Sequence, residues 1–113
     1  MPEAKQTYTG KNPLVKEVGK LIPNYVKRDP IVSAMIEKLD DNKVLFITEE
    51  LNLHNIMTYE SLFETVPERE LDNTKKFLEE NKGSIFVTFT SPKTPLVTYS
   101  FDPSVFGLKK KAS

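Results

Sequence analysis

Between Gly83 and Pro103 the chain reads GSIFVTFTSPKTPLVTYSFDP, two similar runs mirrored about a short middle. Both runs are rich in β-branched and aromatic residues, and Ser91-Pro92-Lys93-Thr94-Pro95 between them is turn chemistry, so the stretch predicts a hairpin. With a five-residue loop over 91–95, Thr90 faces Leu96, Phe89 meets Val97, Val87 meets Tyr99 and Ile85 meets Phe101. Those last three pairs share one apolar face, while Thr88 with Thr98 and Phe86 with Ser100 occupy the other. A slip of one residue would turn the apolar set to the wrong side, so the pattern sets the register. Whatever else the chain forms must cover that face.

At 113 residues the chain suits one domain. It is 38% hydrophobic and 28% charged, the composition of a globular rather than a disordered chain. It has no cysteine, which excludes disulfides, thiolate metal sites and a cysteine nucleophile. No apolar run approaches the roughly 18–20 residues of a membrane span. The polar start Met1-Pro2-Glu3-Ala4-Lys5 carries no secretory core and no myristoylation glycine, so the expected setting is cytoplasmic.

The zero net charge is unevenly spread: residues 1–28 carry +4, residues 29–82 carry −7 and residues 83–113 carry +3. A polyanionic partner would approach the ends. Residues 1–11 lack periodicity and read as a flexible basic arm, 12–103 as a single α+β domain, and 104–113 as a tail that is apolar and then basic.

Asn12-Pro13 is a helix start, and Leu14, Val15, Val18, Leu21, Ile22 and Tyr25 recur at helical spacing. Pro23 predicts an end near Leu21 or a kink. Asp29-Pro30 repeats the start signal before an apolar stripe of Ile31, Val32, Met35, Ile36 and Leu39. Val44–Thr48 predicts a short strand, apolar on both faces and therefore covered. Residues 49–56 read as loop or helical turn, and 57–65 as helix. Thr65-x-x-Glu68 has capping-box spacing and predicts a helix over about 66–81, closed by Gly83.

From residue 30 onward this order (helix, strand, two helices, hairpin, joined at a helix-glycine-hairpin junction) resembles the winged-helix family. The resemblance implies a first helix at 30–39, a short strand at 44–48, a second helix at 57–65 and a recognition helix at 66–81. The wing strands would be 84–90 and 96–101, with Lys93 as the wing-tip cation. It also implies a three-stranded antiparallel sheet and the capacity to bind nucleic acid.

The residues weigh against DNA reading by that helix. Residues 67–81 offer Arg69, Lys75 and Lys76 but also Glu68, Glu70, Asp72, Glu79 and Glu80, a net −2 that would repel phosphate. A nucleic-acid surface would instead draw on Lys11, Lys27, Arg28, Arg69, Lys75, Lys76, Lys93, Lys109, Lys110 and Lys111. His54 is the only histidine and no carboxylate sits at a ligand spacing, so neither a metal nor a cofactor is expected. A Ser61–His54 pair could form a small catalytic centre but lacks a nucleophile-elbow motif. Apolar residues on the outer hairpin face and in the tail make the leading expectation a non-catalytic module working by protein–protein contact or self-association, through Phe86, Leu96, Tyr99, Val105, Phe106 and Leu108.

Overall fold

The computed structural model describes residues 6–8, 13–40, 42–48, 54–91 and 96–108. Among these residues the fold is α+β: four helices pack on a mixed five-stranded sheet. In chain order the elements are β1 (Gln6–Tyr8), α1 (Pro13–Arg28), α2 (Pro30–Glu37), β2 (Lys43–Thr48), β3 (His54–Thr58), α3 (Tyr59–Thr65), α4 (Glu68–Glu80), β4 (Ile85–Thr90) and β5 (Val97–Phe101). A short 3-10 helix, Pro103–Phe106, follows.

The hairpin takes the expected register, with Ile85 opposite Phe101, Val87 opposite Tyr99 and Phe89 opposite Val97. The sheet around it is larger than the three antiparallel strands expected. Its order is β1-β5-β4-β2-β3, and β2 lies parallel to β4, with Leu45 opposite Val87 and Ile47 opposite Phe89. Parallel neighbours require a crossover, here the long excursion through β3, α3 and α4. β1 pairs with β5 where a flexible arm was expected, and β3 occupies part of the ambiguous stretch. From α2 onward the order of elements departs from the expected one by the extra strand β3, and the sheet differs in size and direction.

Alternation along the strands sorts the core into two clusters. Leu45, Ile47, Ile85, Val87, Phe89, Val97, Tyr99 and Phe101 meet Ile22 and Val26 of α1 and Val32 and Ile36 of α2. On the other face Val44 and Phe86 meet Leu62 of α3, Leu78 of α4 and the linking Val66. The sheet is thus a middle layer between two helical layers. That explains why β2 is apolar on both faces.

The capping signals divide. Asp29 caps α2, its carboxylate accepting from the Ile31 and Val32 amides at 2.9 and 3.4 Å. Pro23 neither ends α1 nor splits it, for the helix continues to Arg28. Thr65 does not cap α4: its hydroxyl donates back to the Ser61 carbonyl at 2.8 Å, and α4 begins after Pro67. The cap belongs instead to Thr58, which accepts from the Ser61 amide and starts α3. Gly83 sits at φ +90°, where a side chain would be strained, and lets the chain turn from α4 into β4.

Candidate functional site

Of the six residues expected to form a docking surface, two are buried and four are half-buried. Tyr99 is fully buried and Phe86 is 3% exposed. The face of the hairpin expected to look outward is covered by α3 and α4, and Phe86 makes edge-to-face contacts with Tyr59 and Phe77 at 6.3 and 6.0 Å. Leu96 is half-buried against the same cluster. Val105, Phe106 and Leu108 are half-buried on the opposite cluster, where Phe106 stands edge-on to Phe101 at 5.4 Å. The tail therefore seals the α1–α2 side of the sheet. Phe86 and Tyr99 are unavailable to a partner because their rings fill the core.

Among the described residues, the cations expected to form a nucleic-acid surface fall on two sides of the sheet. Lys27 and Arg28 end α1 on one side of the sheet, whereas Arg69, Lys75 and Lys76 lie on α4 on the other. Lys75 is engaged with the Phe63 ring, its Nζ 5.3 Å from the centroid. Lys11, Lys93 and Lys109–Lys111 lie outside the described residues.

His54 is not paired with Ser61. It opens β3, while Ser61 lies beyond the other end of that strand, and the four residue steps from His54 to Thr58 alone span about 13 Å. The Ser61 hydroxyl instead bonds Thr58 Oγ1 at 3.2 Å. His54 Nδ1 shares a hydrogen bond of 3.0 Å with the Tyr25 hydroxyl, tying α1 to the edge of the sheet. Burial, and secondarily the Asp29 carboxylate, raise the Tyr25 phenol above its ordinary pKa. Among the described residues no group of three or more metal-ligating side chains comes together.

What the sequence reading missed lies on the helical layer over the first cluster. Among the described residues, Leu21 and Ile31 are the large apolar side chains left in solvent, 57% and 63% exposed. On α1 the exposed positions Glu17, Lys20, Leu21, Asn24, Lys27 and Arg28 follow helical spacing along one face, opposite buried Ile22 and Val26. Lys20 is within 3.8 Å of Glu17, whereas Lys27 and Arg28 have no carboxylate within ion-pair distance among the described residues. About 10 Å of helix axis separates Leu21 from Arg28, a span that one protein footprint covers. Leu21 thus shares the outward face of α1 with Arg28, and Ile31 follows Arg28 by three residues at the start of α2.

The signal for this patch was present but ambiguous. Leu21-Ile22 and Ile31-Val32 are adjacent apolar pairs, and neighbours on a helix point about 100° apart. One of each pair faces the sheet and the other is left outside. Comparison with known proteins found no match to any family model, curated protein or solved structure.

Proposed function

We propose that this chain is a non-catalytic interaction module acting by protein–protein contact, and that its contact surface is the outward side of the α1–α2 layer. The observation that carries this reading is the exposure of Leu21 on the α1 helix that ends in Lys27 and Arg28, and of Ile31 three residues beyond Arg28. Burying either aliphatic side chain completely against a partner would contribute about 1.5–3 kcal/mol. The two cations would orient the encounter and favour a partner whose apolar anchor is flanked by carboxylates. The hairpin and tail, expected to be the docking surface, serve in this reading to build the platform under α1.

The test places a photo-crosslinking side chain at Leu21, at Ile31 and, on the opposite layer, at Asn73, in the full chain in its native cell. Positions 21 and 31 should give the same protein adduct and position 73 should not. The double variant Lys27→Glu/Arg28→Glu should abolish that adduct, and the complex should weaken with salt. No adduct, or equal adducts from position 73, would refute this surface. Nucleic acid in the adduct, with steep salt dependence, would favour the nucleic-acid reading instead. A His54→Ala chain that folds normally but loses its cellular function, with the adduct intact, would favour catalysis.

A further inference from the structure

The edge at β3 carries a device of its own. β3 lies at one end of the strand order, and among the described residues it pairs only with β2. The Tyr59 amide donates to the Asn42 carbonyl at 2.8 Å, and in an antiparallel ladder such inward bonds recur at every second residue. Asn55 and Met57 therefore bond toward β2, while the backbone groups of His54, Ile56 and Thr58 point away from the sheet. Edges are commonly protected by charged residues or proline, but the strand sequence His-Asn-Ile-Met-Thr contains no Lys, Arg, Asp, Glu or Pro. The central outward donor is nevertheless occupied: the Ile56 amide donates to Oδ1 of the exposed Asn55 at 2.9 Å.

We infer that Asn55 closes the β3 edge to strand addition by a second copy of this chain. Ile56 lies at the middle of the three outward-facing residues, so an incoming strand aligned along β3 must take its N–H. While Asn55 Oδ1 holds that donor, an added strand gains one ladder bond fewer and must first displace the side chain. Removing the amide would leave an uncharged, proline-free edge with its central donor open, a ready template for pairing. This inference is independent of the α1–α2 surface, which lies on other elements.

The test compares wild-type chain with Asn55→Ala and Asn55→Gln by amide hydrogen exchange and light scattering over a range of concentration. Gln is polar and uncharged, but its longer side chain does not close the same short ring to the next amide. In both variants the Ile56 amide should exchange faster, by about tenfold, the loss of one ordinary hydrogen bond. Both should gain mass with concentration, while wild type stays at the monomer mass of 12.9 kDa. Asn55→Asp retains an acceptor at the same atom and should keep the slow Ile56 exchange of wild type. Unchanged Ile56 exchange in Asn55→Ala would overturn the cap. Faster exchange with both variants still monomeric would overturn the gate, as would wild-type chains that already pair through β3.

Discussion

Leu21 and Leu62 are the same side chain in opposite surroundings, one exposed on α1 and one fully buried between α3 and the sheet. Leu62→Ala should cost about 2–5 kcal/mol through lost transfer energy and the cavity left behind. Leu21→Ala should stay within about 0.5 kcal/mol. Urea denaturation of both variants measures the contrast, and similar losses would mean that Leu21 is buried in solution. Tyr25 makes a pH-dependent prediction. Its folded pKa is raised above the ordinary 10.0, so the native state holds the phenol proton where the unfolded chain has released it. That contribution is complete below about pH 10 and is lost as pH rises through the folded value. Tyr25→Phe should lower stability by about 0.5–1.5 kcal/mol at neutral pH through the lost bond to His54, and should flatten the decline above pH 10. At this scale the sequence was readable at Ile85 and Val87, where strand alternation assigns a side that α1 and α2 cover. It was ambiguous where two apolar residues adjoin on a helix, because only the packing decides which one turns outward.

Among the elements, α2 was the most legible because its start rests on local chemistry. Asp29→Ala removes the acceptor for two amides and should cost about 1 kcal/mol, read as a lower denaturation midpoint; Asp29→Asn should recover most of it. The unbroken α1 permits a prediction of opposite sign. Proline inside a helix costs about 3 kcal/mol relative to alanine, less up to about 1 kcal/mol for its stiffening of the unfolded chain. Pro23→Ala should therefore raise stability by about 2 kcal/mol; a loss would show that the Pro23 ring is held by packing stronger than the missing backbone bond. The elements that escaped the reading are the edges. β1 has three residues held by pairing with β5, and β3 includes Asn, which is a poor strand former. Thr65 and Glu68 had the spacing of a cap, but Thr58 had already begun a helix about two turns earlier, and Thr65 spends its hydroxyl on that helix's end.

The molecule as a whole could not be assembled from local signals, because its defining contact is the parallel pairing of β2 with β4 across more than thirty residues. The hairpin's apolar side was legible, and so was the need to cover it. That its other side would also be covered depends on where α3 and α4 return. β1, at the beginning, lies against β5, near the end, and β4 fills the gap between β5 and β2. Neither half holds a complete core. A fragment ending at Lys82 should be unfolded by circular dichroism, and adding a fragment of residues 83–113 should restore structure; an independently folded 1–82 fragment would contradict the arrangement. During synthesis, then, β5 must leave the ribosome before β1 can find its place beside it, leaving greasy helices such as α2 unsheltered until the hairpin emerges. A stop codon ahead of Val97 would remove the strand that both β1 and β4 pair with, and would yield waste for the cell's proteases rather than a smaller working version.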